Sequence, residues 1–177
     1  VVPAYYILTT AEASSNLSRF DGIKYGYAAK DDFDDLTDFY KQSRSAGFGA
    51  EVKRRIMLGT FVLSAGYYDA YFTKAQKVRR ILFDKTQEIF KSYNAIISPT
   101  VPSPAFRIGE KSSDPIEMFL ADIFTVFANL TGIPAISVPL FKHSNGMPFG
   151  LQAMTAFEDE ATLLALSKEL IAINNHL

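Results

Sequence analysis

Three polar side chains recur at helical spacing in a stretch that is otherwise rich in apolar residues. Asp122, Thr125 and Asn129 stand at positions i, i+3 and i+7 of residues 116–130, a segment that predicts a helix. This spacing places the three side chains within about 60° of one another around the helix. Small residues surround Asp122 there, where a surface helix usually carries Lys and Glu. This is therefore either a plain solvent face or one that presents the Asp122 carboxylate to a pocket or a buried partner.

A second charged residue, Arg55, belongs to the run Val-Lys-Arg-Arg-Ile at residues 52–56 of another predicted helix. On a helical wheel it shares its side with small or apolar residues: Val52, Gly59 and Val62. A guanidinium in such surroundings must find a carboxylate, because desolvation without a partner is costly. Arg55 and Asp122 therefore predict either a structural ion pair or recognition of a zwitterion, in which Arg binds the α-carboxylate and Asp binds the α-ammonium group.

Serine is the other candidate for chemistry, since the chain contains no cysteine. Ser14, Ser15 and Ser18 lie close together in sequence, but a serine nucleophile needs a neighbouring base and usually a tight glycine-rich turn. The chain contains neither a Gly-x-Ser-x-Gly nor a Gly-Ser-Ser-Gly sequence. These serines are predicted to cap or pack a short helix, and no catalytic residue is predicted in this chain.

Composition excludes several other functions. The two histidines, His143 and His176, lie far apart, so no metal site is predicted. Eighteen Lys and Arg against 19 Asp and Glu give a net charge of −1, which argues against strong nucleic-acid binding. Four basic residues of one predicted helix are interpreted as a solvated surface, because acidic residues adjoin them: Lys74, Lys77, Arg79 and Arg80. No bilayer span or signal peptide is evident, so we expect a cytoplasmic protein with no membrane partner.

The elements that must position these side chains follow from apolar spacing and from glycine and proline positions. β-branched and aromatic residues predict a strand over residues 1–10, with Thr10 capping a short helix over residues 11–20. Further helices are predicted over residues 35–45, 50–64, 67–91, 116–130 and 158–173, and strands over 95–98, 135–138 and 149–155. This alternation favours an α/β architecture, with residues 1–177 in a single domain that has no internal linker.

Several segments along nearly the whole chain resemble a known family. They cover residues 12–22, 47–49, 51–60, 63–71, 98–102, 129–135 and 150–152. In this order they resemble the glutamyl-tRNA(Gln) amidotransferase A subunits, which form a branch of the amidase signature family. General amidases share the last of these segments but not usually the first three. The resemblance implies an α/β fold, a mixed β-sheet flanked by helices, of which this chain is the C-terminal portion.

The resemblance also implies a function and partners. An A subunit of this family hydrolyses glutamine and releases ammonia. A B subunit uses ATP and Mg to activate the glutamate on misacylated tRNA, and a small C subunit braces the pair. The product is glutaminyl-tRNA, and often asparaginyl-tRNA by the same route. For this chain the resemblance implies no cofactor, glutamine as ligand, the B and C subunits as partners, and tRNA contact only through the B subunit.

By the same resemblance, three residues line a glutamine pocket. They are Tyr5 of the first predicted strand, with Tyr6 as the neighbouring alternative, Arg55 of residues 52–56, and Asp122. The family's Lys-Ser-Ser triad lies in a Gly/Ser-rich segment that has no counterpart in these 177 residues. The chain is therefore predicted to bind glutamine but to be inactive alone. The alternative is an amidase-fold fragment that acts only as a scaffold or interaction module, which would need neither Arg55 nor Asp122.

Overall fold

The computed structural model describes residues 1–30, 32–106 and 120–174 of the chain. These residues divide into two compact units, Pro3–Gln76 and a second unit that contains Lys77–Leu177 together with Val1 and Val2. The boundary at residues 76 and 77 falls inside a helix rather than in a loop. That residues 1–177 form a single amidase-like domain stays a prediction.

The first unit is helical. It contains α1 (Val2–Leu17), α2 (Leu36–Gly47), α3 (Ala50–Val62) and a π-helical segment at Asp69–Thr73. The Asp35 carboxylate accepts a hydrogen bond from the backbone N–H of Asp38 at 2.8 Å, which satisfies one of the free amides at the start of α2. The helices predicted over residues 35–45 and 50–64 are therefore confirmed, with ends shifted by one or two residues.

The strand predicted over residues 1–10 is wrong, because these residues form most of α1. The separate helix predicted over residues 11–20 is also wrong, since its residues continue α1 as far as Leu17. Thr10 is buried inside the helix and does not cap it, because its hydroxyl donates to the Tyr6 carbonyl one turn earlier at 2.7 Å. Ala4 and Ala11 are buried on the same helix. Packing of these small residues outweighs the modest β-propensity of Val, Tyr, Ile and Thr.

Helices α1 and α3 approach each other closely at Gly59. A Cβ atom on Gly59 would collide with the backbone carbonyl of Thr10 and would lie 2.6 Å from the Cβ of Ser14. One residue further along α3, the Thr60 hydroxyl shares a 3.0 Å hydrogen bond with the Ser14 hydroxyl. Ser14 is thus a helix-packing residue, as the sequence predicted. Only glycine permits this distance between the two backbones.

The second unit contains a sheet and three helices. Its elements are α4 (Lys74–Phe90), β1 (Ile96–Pro99), α5 (Thr125–Thr131), β2 (Ala135–Lys142), β3 (Pro148–Met154) and α6 (Glu160–Asn174). The described strands pair antiparallel in the order β1-β3-β2, and α6 packs mainly against β2. Ala153 and Met154 of β3 and Val138 of β2 are buried at the centre. The predicted α/β class and the three predicted strands are confirmed.

The helix predicted over residues 116–130 differs from the structure at its beginning. Residues 116–119 lie outside the described part of the chain, residues 121–124 form a turn, and α5 begins only at Thr125. The Ile123 amide donates to the Leu120 carbonyl at 3.1 Å, an i→i−3 bond that winds the chain more tightly than an α-helix. The predicted end is confirmed, since Gly132 adopts φ 68° and donates to the Ala128 carbonyl.

Candidate functional site

Arg55 lies on the partly buried side of α3, as the helical wheel predicted. Gly59 and Val62 of that side are buried, whereas the adjacent Arg54 side chain is 70% exposed. The carboxylate that Arg55 requires is supplied by Glu51, one turn earlier, which accepts from Arg55 Nε at 3.1 Å. The sequence analysis missed this partner, although Glu51 and Arg55 have the i, i+4 spacing of a helical ion pair.

Glu51 fixes both the charge and the orientation of Arg55. Its hydrogen bond to the guanidinium raises the pKa of Arg55 above the usual range, more than partial burial lowers it, and Tyr6 and Tyr5 raise that pKa slightly further. Arg55 therefore stays cationic and is suited to binding an anion rather than to transferring a proton. Because Glu51 contacts Nε, the two outer nitrogens of the guanidinium form no hydrogen bond within the described residues.

The two candidate tyrosines lie on α1, not on a strand, and they differ in their relation to Arg55. The Tyr6 ring lies 5.7 Å from the guanidinium carbon of Arg55, a cation–π distance. Tyr5 meets the Tyr6 ring edge-on at 6.0 Å, and both tyrosines are partly buried. The structure therefore brings together Tyr5, Tyr6 and Arg55, with Tyr6 in direct contact with the guanidinium.

Asp122 belongs to the other unit and lies in the turn that precedes α5. Its side chain is exposed in the described chain, and its backbone carbonyl accepts from the Thr125 hydroxyl and the Val126 amide, each at 3.1 Å. The third residue of the polar row, Asn129, donates from its side chain to the Thr125 carbonyl at 3.2 Å. The polar groups of Thr125 and Asn129 thus serve the local backbone, which leaves the Asp122 carboxylate as the acidic group available to a ligand.

A groove of about 420 Å³ lies between α2 and α3, beside Phe48, Ile56 and Met57. Two of its cations are already bound to backbone carbonyls: Arg44 donates to Leu17 and Phe20 at 2.8 and 3.0 Å, and Lys53 donates to Ser45 at 3.0 Å. None of the predicted site residues lines this groove. Its basic residues therefore serve chiefly to join the ends of neighbouring helices.

The basic residues of α4 are also partly used inside the second unit. Arg79 Nε donates at 2.9 Å to the carbonyl of Leu130, near the end of α5, and Arg80 pairs with Asp84 at 3.0 Å. A cation at this position satisfies a helix C-terminal carbonyl and favours the helix dipole. These contacts agree with the interpretation of this surface as structural and solvated.

We expect Arg79→Met to lower the free energy of unfolding by about 1 kcal/mol, because it removes the donor to Leu130 and keeps most of the side chain's apolar length. Lys77→Met on the same helix is the matched control, since Lys77 is exposed and makes no hydrogen bond within the described residues. Urea unfolding of both variants measures the difference. Equal stability of the two variants would show that the Arg79 contact contributes nothing.

Within residues 1–30, 32–106 and 120–174, no group of three or more His, Asp or Glu side chains is arranged to bind a metal ion. In the same residues, no helix combines the length and the apolar character that crossing a membrane requires.

The fold and sequence together define the class of protein. The sequence profile of the amidase family matches residues 1–164, and the chain belongs to the amidase family. It is similar to the A subunit of the glutamyl-tRNA(Gln) amidotransferase of Chlorobium phaeobacteroides (strain BS1), with 56% identity over 169 residues, and to that of Bacillus licheniformis, with 54% over 172 residues. These matches cover 96% and 97% of this chain and 35% of each relative. The chain thus spans about a third of the length of these relatives.

Solved structures agree with this assignment. The crystal structure of the glutamyl-tRNA(Gln) amidotransferase A subunit from Thermotoga maritima matches with a TM-score of 0.52 and 37% identity, over 90% of this chain and 36% of that one. A crystal structure of an amidase matches with a TM-score of 0.69 and 21% identity, over 96% of this chain and 34% of that one. The second similarity concerns the fold alone. The amidase-type fold predicted from the sequence is confirmed.

Proposed function

We propose that this chain is the glutamine-binding part of the glutaminase (A) subunit of a tRNA-dependent amidotransferase. Such a subunit supplies ammonia for the conversion of Glu-tRNA(Gln) to Gln-tRNA(Gln). The observation that carries the proposal is the 54–56% identity, over almost the whole chain, to relatives that bear that name. The arrangement around Arg55, a cationic guanidinium with its outer nitrogens unused by the described residues, supports it.

In this proposal each charged residue binds one charge of the amino acid. The outer nitrogens of Arg55 donate to the glutamine α-carboxylate in a bidentate pair, and Asp122 accepts from the α-ammonium group. Tyr5, or its neighbour Tyr6, forms part of the pocket wall next to Arg55. Both charges of glutamine persist from the ground state to the transition state. Arg55 and Asp122 therefore contribute affinity and place the side-chain amide for attack by groups outside these 177 residues.

The remaining parts of the reaction belong to partners. A B subunit binds ATP and Mg and activates the glutamate on the tRNA, a C subunit stabilises the pair, and this chain contacts tRNA only through the B subunit. The complex is cytoplasmic, and no cofactor binds to this chain. The second candidate is a scaffold or interaction module of amidase fold, in which Arg55 only holds Glu51 and Tyr6.

The test is an amidation assay with the complete protein and its B and C subunits. We expect Gln-tRNA to form from Glu-tRNA(Gln) with glutamine as nitrogen donor, whereas a scaffold would support the reaction only with added ammonium. The isolated 177-residue polypeptide should release no ammonia from glutamine, since it carries no Lys-Ser-Ser set. Ammonia release from that polypeptide, abolished by substituting one of its own serines, would contradict the proposal.

A further inference from the structure

Gln152 occupies a buried position in the central strand of the sheet. It is 4% exposed and lies on β3, between Ser98 of β1 and Ser137 of β2 in the strand register. A buried primary amide must find acceptors for its N–H groups, because an unpaired donor there is costly. Gln152 Nε2 donates to the backbone carbonyl of Phe124 at 3.2 Å, with the Ser98 hydroxyl at 3.5 Å as a longer contact.

The acceptor carbonyl belongs to the turn that carries Asp122. Phe124 follows Asp122 by two residues and immediately precedes α5. On the helix side, the Asp122 carbonyl accepts from Thr125 and Val126, which ties the turn to α5. Among the described residues, Gln152 is the side chain of the sheet that hydrogen-bonds to this turn. The turn is thus joined to its own helix by local bonds and to the sheet by one amide.

We infer that Gln152 is a positioning residue for glutamine binding, which acts through the turn and sets where the Asp122 carboxylate lies. The inference rests on the proposed role of Asp122. A carboxylate that binds an ammonium group must be placed to within a fraction of an ångström, and a turn bound only to its own short helix can shift with that helix. The bond from Gln152 to Phe124 references the turn to the rigid central strand.

The decisive variant is Gln152→Met in the complete protein with its partner subunits, because methionine keeps the length of the side chain and removes the donor. We expect the KM for glutamine to rise about three- to tenfold, the factor for one hydrogen bond. The kcat and the ammonia-dependent amidation rate should stay near wild type. Ser167→Ala is the matched control: Ser167 is also buried in this unit, and its hydroxyl donates to Leu163 at 2.7 Å within α6, away from the turn.

A double-mutant cycle with Asp122→Ala separates this inference from the proposed function. If Gln152 acts through Asp122, Gln152→Met should raise the KM in the wild-type background and add nothing in the Asp122→Ala background. An equal increase in both backgrounds, or none in the wild type, overturns the inference while leaving the proposed function intact. An unchanged KM in Asp122→Ala alone instead refutes the proposed role of Asp122.

A second variant covers the case in which Gln152→Met folds poorly. Gln152→Asn keeps a buried amide on β3 but shortens its reach to Phe124 by one methylene. We expect the same rise in the KM for glutamine, with the ammonia-dependent rate again preserved. A wild-type KM in folded Gln152→Asn would overturn the inference.

Discussion

Arg55→Ala in the complete enzyme should abolish most glutamine-dependent amidation and leave amidation with external ammonium near the wild-type rate. The substitution removes the proposed partner of the glutamine α-carboxylate and leaves the groups that attack the amide untouched. We expect a loss of roughly 2–5 kcal/mol in transition-state stabilisation for glutamine, the range for removing one partner of a buried, hydrogen-bonded charge pair. Asp122→Ala should show a loss of the same kind through the α-ammonium group.

Two further variants sharpen this test. Arg55→Lys should remain poor, because an ammonium cannot reproduce the planar fork of a guanidinium or its contact with the Tyr6 ring. Arg54→Ala is the matched control, since Arg54 pairs with the same Glu51 at 2.7 Å but points to the exposed side of α3. Its glutamine kinetics should stay near wild type.

The measurement compares the kcat/KM for glutamine with the ammonium-dependent rate of the same preparation. Near-wild-type use of glutamine by Arg55→Ala and Asp122→Ala would rule out the proposed binding of the amino acid. Equal loss of both rates would show that the two residues are structural, which is the scaffold alternative.

The side of α3 on which Arg55 lies could be predicted because the information is local. Within one helix the 3.6-residue period decides which residues share a side, and that period is written in the sequence around Gly59 and Val62. The partner Glu51 was equally local and could have been found from its spacing. The conformation of residues 1–10 could not be found in this way. It depends on packing against α3, whose residues lie about fifty positions further along the chain.

The position of Asp122 shows the same limit. Its apolar neighbours have helical spacing, and α5 does follow, but the residues just before α5 turn more tightly. The Phe124 carbonyl bonds to Gln152, 28 residues later on another element. Residue type at 116–130 contains no information about that donor. Tertiary hydrogen bonds of this kind decide where a helix begins, and periodicity alone does not reveal them.

Gly59→Ala should lower the free energy of unfolding by about 1–3 kcal/mol, the usual cost of overpacking, although alanine is the better helix former by about 1 kcal/mol. The added Cβ would collide with the Thr10 carbonyl, which is backbone and cannot rotate away, so α1 and α3 must separate. Gly59→Val should cost more. Gly49→Ser is the matched control, since Gly49 begins α3 with φ −65° and no atom lies near its Cβ position.

Denaturant unfolding followed by circular dichroism measures these differences, and the kinetics add a second readout. The crossing at Gly59 holds α1, which carries Tyr6, against α3, which carries Arg55. Separation of the two helices should therefore also raise the KM for glutamine in the complete enzyme, while the ammonium-dependent rate falls only as far as stability requires. A Gly59→Ala protein as stable as Gly49→Ser would mean that the two backbones do not approach as closely as this structure places them.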